Sequence, residues 1–151
     1  MAIDERSARN IATLHFELQP LACRLIEQAL ERGITVKVIS GLRSYEEQNE
    51  LYAQGRTKPG QIVTKAKGGQ SWHNFGTAFD IGVFSADGKK YYGESNAYKT
   101  CGEIGESLGL EWGGRWKFVD EPHFQLKLGL SISELHNRKM NGLDVVSGKP
   151  V

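Results

Sequence analysis

The sequence predicts an α+β domain in which helices pack on a small antiparallel sheet. Three observations carry this. An amphipathic stripe with 3.6-residue spacing runs from Leu21 to Leu30. Stretches with strand character stand at Ile34–Ile39 and Ala78–Phe84, and Asp87-Gly88 reads as a hairpin turn. Helices segregated from an antiparallel sheet define the class. At 151 residues the chain has room for one compact domain and hardly for two. No internal repeat, low-complexity tract or Pro/Ser-rich linker divides it. A single domain over 1–151 is expected, with its core at about 20–128 and a C-terminal helix and tail at 129–151.

A first helix is expected from Arg6 to Phe16. In the second, Leu21, Ala22, Leu25, Ile26, Ala29 and Leu30 share a face, with Arg24, Glu27, Gln28 and Glu31 between them. Pro20 suits its first turn and Gly33 its stop. Ile34 to Ile39 alternates and is rich in β-branched residues, and Ser40-Gly41 then turns the chain. Ser44 with Glu47 forms a capping box that opens a short helix ending at Gly55. The loop 56–70 holds Pro59, Gly60, Gly68 and Gly69, and carries Arg56, Lys58, Lys65 and Lys67 with no acid. Strand 78–84 leads through Asp87-Gly88 into Lys89–Tyr92. Ala97, Cys101, Ile104 and Leu108 fall at helical spacing, stopped by Gly109. Glu111 to Trp116 reads as a Trp/Gly-rich turn and His123–Leu126 as a third core strand. Ser133 is expected to cap the last helix, and 142–151 to be a frayed tail.

Nineteen Lys+Arg against eighteen Asp+Glu leave a formal charge of +1, which argues against nucleic acid as a partner. No apolar run approaches the ~20 residues that span a bilayer, so no stable membrane association is expected. The opening Met1-Ala2-Ile3-Asp4-Glu5-Arg6 has no apolar signal core behind a basic head. Synthesis in the cytoplasm without a Sec-type export address is the expectation. Cys23 and Cys101 are too few for a disulfide framework and read as two buried free thiols. The 18 glycines imply many backbone turns.

Two of the four histidines stand in unusual company. Along strand 78–84, Phe79, Ile81 and Val83 point one way, and Asp80 points the other with Ala78 and Gly82. A carboxylate opposite a β-branched face, flanked by small residues, faces a cleft or a ligand. In the third strand His123 and Gln125 share one face. If these strands pair, Asp80 and His123 meet, with His73 reaching in from the preceding turn. Two imidazole nitrogens and a carboxylate oxygen, with a fourth position left for water, suit catalytic Zn²⁺. Such a site lowers the pKa of its water to about 7 and polarises a carbonyl. Asp120 is the natural base beside it, and Glu121 is the competing choice. Each residue also has an ordinary explanation, since lone histidines are commonly satisfied by hydrogen bonds and a strand Asp often caps a turn. His15 and His136 lie on helical segments without an acidic or histidine partner at ligand spacing, and read as surface residues.

The pattern Ser71-x-His73-x-x-Gly76-x-Ala78-x-Asp80, followed by Asp120-x-Pro122-His123-Phe124-Gln125, resembles the zinc D-alanyl-D-alanine carboxypeptidase and L-alanyl-D-glutamate endopeptidase family. Within it the likeness is to bacteriophage and prophage endolysins and related bacterial wall peptidases. Ser40 to Gln48 is similar to that family's first signature, and Glu111-Trp112-Gly113-Gly114 to the stretch before its second metal motif. The similar span runs from about Val38 to Gln125, with 129–135 similar too. The resemblance implies a hedgehog/D-Ala-D-Ala-peptidase-like fold. It implies that His73, Asp80 and His123 hold zinc, and that Asp120 is the catalytic base. It also implies that Arg43, helped by Gln48, binds a substrate carboxylate or carbonyl, and that Ser71 hydrogen-bonds near the metal. A guanidinium suits that task, being always charged and bidentate; the ordinary reading of Arg43 is a surface salt bridge to Glu46 or Glu47. Trp72, Trp112 and Trp116 are expected to pack around the site. Arg115 stands where close relatives would carry an acid.

The expected activity is hydrolysis of the L-Ala–D-Glu bond in the peptidoglycan stem peptide, by a monomer with Asp120 moving the proton. It would act on the cell wall after release from the cytoplasm, passing from host cytoplasm to periplasm if phage-encoded. The basic loop 56–70 is expected either to attract anionic stem peptides and close over them, or to be a solvated flexible loop. Two other functions fit the same motifs. One is a D-alanyl-D-alanine carboxypeptidase; the other is a non-catalytic, zinc-stabilised wall-binding module.

Overall fold

The computed structural model describes residues 3–151; Met1 and Ala2, the start of the stretch read for an export signal, lie outside the described residues. Helix α1 spans Glu5–Ala12 and α2 spans Gln19–Glu31, with Pro20 in the first turn of α2. Strand β1 is Thr35–Ser40 and helix α3 is Tyr45–Ala53. The Ser44/Glu47 capping box of α3 is formed in both directions. A 3₁₀ turn at Trp72–Phe75 leads into β2 (Ala78–Phe84), β3 (Tyr91–Tyr92) and α4 (Ala97–Ser107). Strand β4 (Leu110–Trp112), a 3₁₀ turn at Gly113–Arg115, β5 (His123–Leu126) and α5 (Ile132–Met140) complete the order.

The sheet runs β1-β2-β5-β4, with β3 also pairing β2, and every pairing is antiparallel. One face carries Val36, Val38, Phe79, Ile81, Val83, Phe124 and Leu126 into the main core. There they meet Ile11, Leu14 and Leu18, the α2 residues Ala22, Leu25, Ile26 and Ala29, and Tyr98, Cys101 and Ile104 of α4. Phe79 and Phe124, paired across the strands, stack at 5.6 Å. The core thus reaches back to Ile11, earlier in the chain than residue 20. The opposite face is left for polar residues, and that alternation creates the site.

Three local expectations are corrected. Glu111–Trp116 is not all turn, because Leu110 and Trp112 alternate into the core and pair with β5, leaving only 113–115 to turn. The cap of α5 is Ser131 rather than Ser133, since only Ser131 has a glutamate, Glu134, three residues on to complete a capping box. The tail is not frayed. Val145 is buried with Phe75 and Leu135 in a second small core, and Arg138 donates to the carbonyls of Val145 and Val146 at 2.9 and 3.1 Å. That second core lies directly behind the Trp72–Phe75 turn, so α5 and the tail brace the turn that carries His73. Both cysteines are free, but only Cys101 is buried, where desolvation pushes its thiol up to about 11; Cys23 is half-buried.

Candidate metal centre and substrate cleft

The site is assembled by register. Asp80 of β2 pairs directly with His123 of β5, and Ala78 with Gln125. On the other side of β2 the register of β1 shifts between Val38 and Ser40, and this bulge sets Ser40 opposite Asp80. His73 arrives from the 3₁₀ turn, whose cap Ser71 accepts the His73 amide at 3.3 Å. Gly76 ends that turn at φ 68°, a conformation that L side chains rarely adopt, and so swings the chain into β2.

His73 Nε2 lies 3.2 Å from Asp80 Oδ2, and His123 Nδ1 lies 3.3 Å from Asp80 Oδ1. The outer nitrogens decide what faces inward. His73 Nδ1 donates to the carbonyl of Gly41 at 3.0 Å, and His123 Nε2 donates to Gln125 Oε1 at 2.8 Å. Each neutral imidazole therefore turns a lone pair toward the Asp80 carboxylate. Lone pairs so arranged repel unless a cation sits among them or the rings take up protons. Both rings are buried, at 4% and 6% exposure. Two ligand atoms about 2.0–2.1 Å from one tetrahedral ion stand about 3.3 Å apart. Each imidazole nitrogen stands at about that distance from one Asp80 oxygen, His73 from Oδ2 and His123 from Oδ1, and one ligand atom from each of the three residues lies within 4.8 Å of the others. The donor set fits a zinc ion with a fourth side turned to the cleft. Where the rings take up protons instead, burial pushes the Asp80 carboxyl up, but hydrogen bonds and positive charge from His123 and His73 outweigh it and hold Asp80 far below the usual range. Burial pulls His123 down, and its bond to Asp80 more than reverses this, raising it.

A cleft of about 470 Å³ opens over these residues, lined also by Arg43, Ser71, Trp116 and Asp120. Asp120 is placed by backbone. Its amide donates to Gly113 O at 2.9 Å, and its carbonyl accepts the His123 amide at 3.2 Å. Glu121 does not line the cleft; its carbonyl instead receives Trp112 Nε1 at 2.8 Å. Desolvation and the Asp80 charge push the Asp120 carboxyl up, against the opposing pull of His123, His73 and Arg43. Arg43 makes no ion pair with Glu46 or Glu47. Its Nη1 donates to Gln48 Oε1 at 2.9 Å and its Nη2 to Ser40 Oγ at 3.4 Å, both neutral partners, beside the cleft. Gln48 is fully buried and does not reach the cleft, because its amide is drawn to Ala66 O and Thr64 Oγ1, tying α3 to the cleft wall.

One other histidine differs from expectation. His15 is not a surface residue: its Nε2 bonds Asp144 Oδ1 at 2.7 Å, a partner far along the chain. His136 Nδ1 bonds the Tyr45 hydroxyl at 2.8 Å. The basic loop is engaged rather than free. Lys58 pairs with Glu50, Arg56 lies 3.8 Å over the Tyr52 ring and donates to Tyr52 O and Thr64 O, and Lys65 sits 4.1 Å over Phe118. Asn74, which sequence reasoning missed, is a buried hub. Its Oδ1 accepts the amides of Gly69 and Ser71, and its Nδ2 donates to Arg43 O. The only signal was an Asn in a turn, a residue type that bonds local backbone.

A family model described as D-alanyl-D-alanine carboxypeptidase matches residues 64–126, which hold His73, Asp80, Asp120 and His123. The peptidoglycan L-alanyl-D-glutamate endopeptidase CwlK of Bacillus subtilis is 43% identical over 122 residues, covering 75% of this chain and 73% of the relative. The chain belongs to the zinc D-alanyl-D-alanine carboxypeptidase and L-alanyl-D-glutamate endopeptidase family. An L-alanyl-D-glutamate peptidase of Listeria phage A118 is 28% identical over 132 residues; these cover 80% of this chain but 40% of the phage protein. Among solved structures, the L-Ala D-Glu endopeptidase ChiX of Serratia marcescens aligns with a TM-score of 0.60 at 28% identity, over 82% of this chain and 88% of ChiX. As a member of this zinc peptidase family, the chain takes Zn²⁺ as its cofactor. Among the described residues no helix is long and apolar enough to cross a membrane.

Proposed function

We propose that the protein is a zinc-dependent endopeptidase that hydrolyses the L-Ala–D-Glu amide of the peptidoglycan stem peptide. His73, Asp80 and His123 hold the metal, Asp120 is the proton carrier, and Arg43 and Ser71 bind substrate, with Gln48 setting Arg43. The observation that carries the reading is the placement of Asp120 and Arg43 around the His73–Asp80–His123 group in one cleft. The identity of the bond is supported by the likeness to CwlK and ChiX.

When bound, Zn²⁺ acidifies water and polarises the scissile carbonyl. Asp120 takes the proton of the attacking water and hands it to the leaving amine as the C–N bond breaks, giving a carboxylate and a free amine. Arg43, which makes no ion pair, binds a carbonyl or carboxylate of the peptide. Arg43 and Leu51 also line an adjoining hollow with Glu47, Gln54 and Lys58. A peptide can therefore continue past Arg43, as cleavage within a chain requires. Likeness to the phage peptidase supports a lytic role; on this reading a monomer acts on the wall after release from the cytoplasm.

The test is mass spectrometry of soluble fragments from Gram-negative peptidoglycan, digested with and without a chelator. New fragments with N-terminal D-Glu, lost on chelation and restored by Zn²⁺, are expected. Release of free D-Ala would move the assignment to a carboxypeptidase. Stoichiometric zinc without cleavage of any wall chemotype would leave a binding module.

A further inference from the structure

Glu111 is a carboxylate that this chemistry does not use. It lies half-buried in β4, directly opposite Gln125 of β5. Its Oε2 accepts from Trp116 Nε1 at 3.1 Å and from Gln125 Nε2 at 3.3 Å. Among the described residues no cation pairs with it. Both of its contacts lead to His123. Gln125 is buried, and its Oε1 is the partner of His123 Nε2 at 2.8 Å. The ring of Trp116 lies 4.9 Å from that of His123.

The direction of this chain follows from what each atom can do. An ionised carboxylate has no hydrogen to give, so it requires the NH₂ end of Gln125. That leaves only the Gln125 oxygen for His123, and an oxygen there requires hydrogen on His123 Nε2. Nδ1 is thereby left as the lone pair that faces Asp80. His73 needs no such device, because its outer partner is the Gly41 carbonyl, which can only accept. Gln125 alone would be ambiguous, since an amide can present either end.

We propose that Glu111 is a positioning residue that, through Gln125, fixes the metal-facing nitrogen of His123 and holds Trp116 against the same ring. The inference rests on the zinc site proposed above. Metal ligands commonly owe about 10–100-fold in affinity to such outer partners.

The test measures zinc affinity of the full chain by competition with a chromophoric chelator, for wild type, Glu111→Ala, Glu111→Gln, Gln125→Leu, the Glu111→Ala/Gln125→Leu double variant and His123→Ala. Glu111→Ala is expected to bind zinc at least about tenfold more weakly. Glu111→Gln keeps the shape but can turn either end inward, and should fall between; it supplies the same readouts should the alanine variant not fold. The double variant should be no weaker than Gln125→Leu alone, because the two act as one unit. In NMR spectra of the zinc-loaded protein the His123 Nε2–H should exchange faster with solvent in both Glu111 variants. Wild-type affinity and exchange in the Glu111 variants, with zinc lost in His123→Ala, would overturn the role of Glu111 alone. Undiminished zinc binding by His123→Ala would overturn the metal site and this inference with it.

Discussion

The backbone amide of Arg43 donates to the carbonyl of His73 at 2.9 Å, so the guanidinium of the cleft and one of its two inward imidazoles ride on bonded segments of chain. Two further bonds close the same seam: His73 Nδ1 to Gly41 O, and Asn74 Nδ2 to Arg43 O. A shift of residues 41–43 would therefore move the substrate-facing charge and re-aim His73 together. The seam makes substrate binding and metal geometry a single mechanical unit.

Asn74→Ala tests that unit. The substitution removes three side-chain hydrogen bonds and leaves the buried amide of Gly69 without its partner. A loss of about 1–3 kcal/mol in stability is expected, read by urea denaturation. Zinc affinity and kcat/KM should fall together. A stable variant with full zinc affinity and full activity would show that the seam does not need this side chain.

What the sequence disclosed, and what it hid, divides along physical lines. Asp80, His123 and His73 were legible because strand alternation and a Gly-terminated turn are local rules, and Ser44 with Glu47 is a local pair. The partners that orient them were not. The Gly41 carbonyl and the Gly113 backbone carry no side-chain signature, and the bulge that sets Ser40 opposite Asp80 depends on pairing between distant strands. The His15–Asp144 contact spans most of the chain, so no window along the sequence could show that the tail is fastened. Gln48 reads from its place in the motif as Arg43's helper in substrate binding; only packing reveals that its Oε1 holds Arg43 while its NH₂ is used up beneath the cleft.

Gly113→Ala should damage the site without touching a functional side chain. A Cβ at this position would stand 2.4 Å from Asp120 O and 3.2 Å from His123 Cβ. The first of these is backbone, which cannot rotate away, so the turn from Asp120 to His123 must move. Destabilisation of about 1–3 kcal/mol is expected, together with weaker zinc binding. Thermal melts with and without chelator measure both. An unchanged melting temperature in both conditions would mean that the turn yields freely.

Asp120→Asn separates metal binding from turnover. The amide preserves size but cannot take a proton from water, and Asp120 is not among the three inward ligand atoms. Zinc affinity should stay roughly that of the wild type while kcat falls by about 10²–10⁴-fold. Stem-peptide hydrolysis and zinc titration on the same preparation check this. Retained turnover would remove Asp120 from the proposed chemistry.

The tail should make stability acid-sensitive through Asp144. Burial pushes this carboxyl up, but the Ser147 amide and the His15 imidazole outweigh it and lower the pKa from 3.8 to about 2. The folded state thus holds the ionised form more strongly than the unfolded chain does. Its contribution is complete above about pH 4 and is lost as the pH falls toward about 2. Loss of the charge frees the amides of Val146 and Ser147 and loosens the tail, so Val145 gives up its place against Phe75 and Leu135. Asp144→Asn should therefore be less stable than wild type at pH 6, with the gap closing between pH 4 and pH 2 as the wild type loses what the variant already lacks. Urea denaturation across that range, with chelator present throughout so that zinc release plays no part, measures the gap. A gap that stayed constant down to pH 2 would place the acid sensitivity elsewhere in the fold.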